Sequence, residues 1–196
     1  MNMEEKKSQL FELYDRYTEL AQPFLASAVC GKGCADCCTA VGNVDIVTLE
    51  GLIILQQMKS FDSGTRKGLE KKLKQNRKTK KSSKYARCAF LLADGTCMIY
   101  SVRPFSCRRL YSIRLCGGKG PTVHRQAWET GEKVQSAIRQ LDYNGYMGHM
   151  SYILQLLKDS SFLKTYLAGG FAPQEIRNFA VSHGISINRL AKAFRQ

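Results

Sequence analysis

Near the start of the chain, Leu10, Leu13, Tyr14, Tyr17, Leu20, Ala21 and Leu25 recur at three- and four-residue spacing. That period puts them on one stripe and predicts an amphipathic helix from Met3 to Ala28. A second helix is expected from Leu49 to Lys59, with Thr48 as its N-cap. "FDSGT" reads as a turn, followed by a polar helix from Arg66 to Asn76 that fades into a Lys/Ser linker over 77–84. After Thr122 the helical period returns, with Ala127, Val134, Ile138 and Leu141 on one face, and again over Tyr146 to Lys158. A further helix should start near Pro173 and stop at Gly184 as its C′ residue, with a short last helix from Ser186 to Phe194. No set of strands and no internal repeat is legible. The fold class implied is mainly α: one domain of helices packed around an irregular cysteine-rich core. Residues 1–121 would supply the N-terminal helix, the cysteine region and the basic segment, and 122–196 a helical part packing on it.

With 196 residues, 44% of them hydrophobic, there is enough chain for one packed core and hardly for two. The N-terminal stretch "MNMEEKKSQLFELYDRY" has no apolar h-region, and no apolar run reaches a membrane span. A soluble, cytoplasmic protein is the expectation. In a reducing cytosol disulfides rarely persist, so clustered cysteines point to metal or redox chemistry. The eight cysteines fall in two blocks, Cys30, Cys34, Cys37 and Cys38 in one and Cys88, Cys97, Cys107 and Cys116 in the other. Inert core thiols have no reason to bunch in this way.

Cys34 and Cys37 form a C-x-x-C pair, a spacing at which a tight turn brings two sulfurs to one point. A thioredoxin-like redox pair shares that spacing but would follow a strand, and none is visible. The second block spaces its sulfurs 9, 10 and 9 residues apart, so each must come from a separate piece of chain folded to a common centre. Eight thiolates suffice for two four-sulfur centres, or for one larger centre and a spare. Such a set suits an iron–sulfur cluster better than Zn²⁺, which needs four ligands and often uses His. His124 could supply a nitrogen ligand, while His149 and His183 fall in helical patterns and are assigned nothing. Cys37 and Cys38 are adjacent, so their side chains diverge and should serve different metal atoms. Cys34 and Cys37 would then share one centre, and Cys38 would turn toward the second block, interleaving the two. The blocks also carry few apolar residues, so the metal should be needed for folding.

Net charge is +14. Residues 66–84 set ten Lys or Arg against the single Glu70, and Gly95 to Trp128 holds Arg103, Arg108, Arg109, Arg114, Lys119 and Arg125 with no acid. Cations near the second block would stabilise thiolates and a negatively charged cluster. The basic segment 66–84 could meet a protein partner or a polyanion. It lacks the aromatic platforms of single-strand readers, so it reads first as a solvated linker.

"CGKGCADCC", "CAFL" and "CMIYSVRPFSCR" together resemble the CxxCxxCC cysteine-cluster (YkgJ-like) family, regarded as zinc- or iron-chelating, with a flagellin lysine N-methylase among its members. The likeness runs from Cys30 to Cys116, and the family's cysteine positions fall on Cys34, Cys37, Cys38, Cys88, Cys97 and Cys107. Cys30 departs from the pattern, standing one residue further from Cys34. The resemblance implies a metal centre and leaves an activity open. Pro104 would shape the turn that delivers Cys107, Arg103 would bond carbonyls or a carboxylate in that turn, and Tyr100 would belong to the core. The leading expectation is a metal-binding protein holding an iron–sulfur cluster or zinc, structural or electron-transferring. The alternatives are a protein-lysine N-methylase-like enzyme and a nucleic-acid-binding module. No Gly-rich nucleotide loop after a strand supports the enzyme, since "CGGKG" is short and badly placed.

Overall fold

A computed structural model describes residues 1–31, 33–41, 44–83, 85–171, 173–183 and 189–190. The architecture is mainly α. The first helix, α1 (Met3–Leu25), is capped by Asn2, whose side chain accepts from the Glu5 N–H while the Glu5 carboxylate accepts from the Asn2 N–H. This reciprocal pair satisfies two donors that a helix start leaves open. Most of the predicted stripe faces inward: Leu10, Tyr14, Tyr17 and Ala21 are buried against α6 (Arg125–Leu141), while Leu20 is exposed.

The first cysteine block was expected as loop, but holds one short helix, α2 (Asp36–Ala40). Then comes a strand the sequence reading missed, β1 (Asp45–Val47), leading straight into α3 (Thr48–Lys59). β1 pairs antiparallel with β2 (Tyr146–His149), Ile46 opposite Gly148, so the helix expected from Tyr146 starts only as α7 (Met150–Leu156). Thr48 is not the N-cap. Its hydroxyl donates to the Tyr146 carbonyl at 3.1 Å and accepts from the Tyr146 N–H at 2.7 Å, tying α3 to β2.

The basic segment is helical rather than a linker: α4 (Ser63–Ser82) starts at the Asp62 cap and buries Leu69, Leu73 and Asn76. Its second half is held by the Asn76 amide donating to the Arg87 carbonyl and by Arg77 donating to the Ser151 carbonyl. The second cysteine block is irregular as expected, with a turn of 3₁₀ helix at Tyr100–Val102 and a one-turn helix, α5 (Phe105–Arg108). A further helix, α8 (Ser160–Leu167), begins at an Asp159 cap. α9 (Pro173–His183) follows the predicted start, while its stop at Gly184 lies outside the described residues. The helix expected over Ser186 to Phe194 also lies outside them, apart from Arg189–Leu190, which pair with β2 as β3.

Two apolar clusters fill the interior. One gathers α1, α3, α6 and Phe105, and the other gathers α4, α7, α8, Phe90 and Ile99. Phe90, Ile99 and Phe105 are almost fully buried, so the second cysteine block has large apolar anchors of its own, which the sequence reading underrated. Among the described residues, no helix is long and apolar enough to cross a membrane.

Candidate metal centre

All eight cysteines are free thiols. Five of them meet. Cys37 and Cys38 ride on α2, Cys88 precedes the Ala89–Phe90 turn, Cys97 bridges to Leu91, and Cys107 lies in α5. The blocks join through the backbone, where the Cys88 N–H donates to the Cys38 carbonyl at 2.8 Å. The Cys37 and Cys38 side chains hydrogen-bond to each other, and Cys38 also bonds Cys88. That bond to Cys38, then burial, pushes the Cys37 thiol up, while Arg103 pulls it the other way. For Cys38 the bond from Cys37 favours the thiolate, but the bond to Cys88, burial and the nearby Cys88 and Cys97 outweigh it and push the thiol up to about 12. Burial raises Cys97, and burial followed by Cys38, Cys37 and Cys97 raises Cys107. These sulfurs oppose one another's ionisation, a penalty that a bound cation reverses.

The frame around this inner group differs from the sequence reading in its details. Pro104 is buried and precedes α5 directly. Arg103 lies 4.2 Å over the Tyr100 ring and donates to the Tyr111 hydroxyl at 3.0 Å. The carbonyl-bonding role expected of it falls to Arg108, which donates to the carbonyls of Arg103 (2.8 Å) and Ser101 (2.9 Å). The Arg103 Nε–H is buried and has no hydrogen-bond partner. Tyr100 is not core but 62% exposed, the far side of the Arg103 stack.

Glu50 was missed. Its fully buried carboxylate accepts from the Tyr14 hydroxyl and the Phe105 N–H at 2.7 Å each through Oε1, and from the Val47 N–H at 3.0 Å through Oε2. Burial holds its carboxyl above the usual range even so. By gripping the first residue of α5 it fixes where Cys107 stands. The available signal was a lone acid inside the apolar run "TLEGLIIL".

Of the remaining three thiols, Cys30 and Cys34 are exposed, and burial, with smaller contributions from Asp36, Cys30 and Cys34, raises Cys116. Ser112, 0% exposed, holds this stretch: its N–H donates to the Cys30 sulfur at 3.3 Å and its hydroxyl donates to the Arg114 carbonyl at 2.6 Å. Cys34, expected to share a centre with Cys37, is exposed and follows the Gly33 turn.

His124 caps α6, its Nδ1 accepting from the Gln126 N–H at 3.3 Å, and stacks on Phe24, so it does not join the thiols. His149, passed over in the sequence, lines a cavity of about 10 Å³ together with Cys38, Cys88 and Asn76. Its Nδ1 meets the Ser151 hydroxyl at 2.9 Å, and burial lowers its pKa to about 4. Among the described residues no three thiol, imidazole or carboxylate donors stand close enough to enclose one ion as they are placed. The sulfurs would have to draw in around a guest.

A family model, CxxCxxCC, described as a "putative zinc- or iron-chelating domain", matches residues 29–133. No curated protein and no solved structure matches the chain.

Proposed function

The chain belongs to the CxxCxxCC family over more than half its length, and on that premise we propose that it binds metal through Cys37, Cys38, Cys88, Cys97 and Cys107 as an iron–sulfur centre. Its role would be structural or electron-transferring, in a reducing compartment where free thiols persist. The observation that carries this reading is five thiols from both blocks gathered beside one unpartnered guanidinium N–H, that of Arg103. Five sulfurs exceed the four ligands of a structural zinc. Cys37 and Cys38 are successive residues of a helix, so their side chains leave it about 100° apart, given roughly 3.6 residues per turn. Two such groups converge badly on one small ion and suit different atoms of a cluster.

The donor set fits that guest. A cluster with thiolate ligands is anionic, and its charge would be met by Arg103, whose charge already favours the Cys37 and Cys97 thiolates. Bound, the group supplies one-electron chemistry or a covalent cross-link between the blocks. The protein's part is to hold the sulfurs, through Glu50 on α5 and the Cys38–Cys88 backbone bond, and to offer the Arg103 N–H as a donor to sulfur.

The test is anaerobic purification of the full chain, with iron, zinc and acid-labile sulfide measured beside a visible spectrum. Iron with matching sulfide and a brown, bleachable spectrum is the expected result. Colourless protein carrying zinc alone, without sulfide, overturns the iron–sulfur assignment.

A further inference from the structure

The basic segment has no part in holding sulfur, yet as a helix it sorts its residues sharply. Leu69, Leu73 and Asn76 of α4 are buried, while Lys67, Lys71, Lys74, Lys78 and Lys81 are all exposed. At about 100° per residue those five lysines fall within an arc of roughly 80°, opposite the buried three. With a rise of about 1.5 Å per residue the row is about 21 Å long. Exposed Arg66 and Lys72 extend the positive face on its two flanks. Glu70, the one acid in α4, is taken up by Lys158 at 2.8 Å. The row is also held from beneath. The Asn76 amide donates to the Arg87 carbonyl at 2.6 Å, and Arg77 donates to the Ser151 carbonyl at 3.2 Å. Like charges three and four residues apart destabilise a helix, so a merely solvated face would gain by alternating its signs.

We propose that the outer face of α4 docks on double-stranded DNA, its five lysines resting on phosphates without regard to base sequence. The composition of the face selects this partner. Large apolar side chains are absent from the exposed positions of α4, so it suits neither a membrane surface nor an apolar groove. It carries no aromatic ring on which the bases of a single strand would stack. The arc is lysine throughout, whereas paired recognition of protein carboxylates favours arginine; lysine meets phosphate as a point charge. A straight, rigid row of such charges matches the regular phosphate lattice of a duplex, which carries one charge per roughly 1.7 Å of axis. The major groove of B-form DNA, about 12 Å wide, admits a helix, and that of duplex RNA is too narrow. Amines on phosphates position a protein and carry no sequence information. The proposal rests on the lysine face alone and stands whatever the thiols hold.

The experiment titrates the full chain, purified anaerobically, into fluorescent duplex DNA and follows anisotropy between about 50 and 200 mM salt. Wild type should give a slope of log affinity against log salt of about −4.5, at roughly 0.9 per lysine. Two duplexes of unrelated sequence should give the same affinity. Changing Lys67, Lys71, Lys74, Lys78 and Lys81 to Gln should remove most of that slope, and changing them to Arg should keep it. Gln at the exposed Lys119, Lys133 and Lys164, which lie outside α4, should leave it unchanged. Acetylation of wild-type amines with peptide mapping needs no variant: duplex DNA should shield the five α4 lysines together and leave those three reactive. An unchanged slope in the five-Gln variant overturns the site, as does equal acetylation with and without DNA. A single strand, duplex RNA, polyglutamate or anionic lipid vesicles bound more tightly than duplex DNA at the same salt overturns the choice of partner.

Discussion

One of the contacts that hold the two cysteine blocks together can be broken by one methyl group. Gly95 closes the turn in which the Leu92 N–H donates to the Thr96 carbonyl, and it does so at a φ of 82°. A Cβ built on it would lie 2.6 Å from the carbonyl oxygen of Gly33, one residue before Cys34. Side chains do not approach backbone that closely, so Gly95→Ala must move one turn away from the other. The left-handed conformation alone costs alanine about 1–2 kcal/mol, and forcing packed backbone apart adds about 1–3 kcal/mol. With roughly 2–4 °C lost per kcal/mol in a chain of this size, Gly95→Ala should lower Tm by about 4–20 °C.

Two comparisons isolate the contact. Gly117 has φ 52° and open space around a built Cβ, and Gly33 has φ 85° with its nearest neighbour 4.0 Å away. Alanine at either should cost the conformational part only, roughly 2–8 °C on the same scale. Thermal melts followed by circular dichroism, with metal content measured alongside, should rank Gly95→Ala well below a close pair of Gly33→Ala and Gly117→Ala. Three equal shifts would mean that the approach of Gly33 to Gly95 does not hold the blocks together.

Glu50→Gln can still accept from Tyr14 and Phe105 through one oxygen but would turn an amide N–H toward the Val47 N–H; it should cost about 1–3 kcal/mol in a denaturant melt, Glu50→Ala distinctly more, and a neutral result refutes the grip on α5. His149, with its pKa lowered to about 4, is neutral when folded and takes up a proton on unfolding. Stability from this residue is present above pH 6.5 and is lost as pH falls toward 4, about 2 kcal/mol between pH 7 and 5. Urea melts of His149→Gln should lack that share of the slope, and parallel profiles for variant and wild type would refute the burial argument. The exposed Lys67, Lys71, Lys74 and Lys78 form most of the stripe along α4. Changing all four to Gln should flatten the salt dependence of single-stranded DNA binding by about 0.7 log units per lysine, and tight, sequence-selective binding at physiological salt would refute the reading.

The helices with an apolar stripe, α1 and α6, were legible because burial on one face leaves a period in the sequence, whereas α3, buried on several faces, was placed by the start signal at Thr48. β1 and β2 were not, since strands of three and four residues running directly into a helix carry no period of their own. α4 outlasted its prediction because lysine is a good helix former, and Asn76 and Arg77 tie the helix to distant carbonyls that no local pattern records. α8 is a two-turn helix whose Asp159 cap was the one cue available. At the candidate centre the eight cysteines were plain as types and spacings. Which of them come together was not, because it depends on contacts across the chain, such as the Cys38–Cys88 backbone bond, that no spacing records.

The inner thiols follow a rule that the sulfur spacings alone conceal. Cys88 lies two residues before Phe90, Cys97 two before Ile99, and Cys107 two after Phe105. Each of those anchors is almost fully buried, and burying such a side chain contributes about 1.5–3 kcal/mol. The second block is therefore fixed by three apolar plugs, each bringing one sulfur with it. This changes the expected relation between metal and folding. Had the blocks lacked anchors, metal binding would have been folding itself, as in small zinc domains. With anchors in place, the hydrophobic core supplies most of the order in the second block, and a guest has only to close the remaining gaps between sulfurs. Cys37 and Cys38 lack such a plug, since α2 buries no residue. The first block is accordingly the part whose order depends most on its contacts with the second, through the Cys38–Cys88 backbone bond and the Gly33–Gly95 approach. Stripping metal should thus loosen the first block before it disturbs the second.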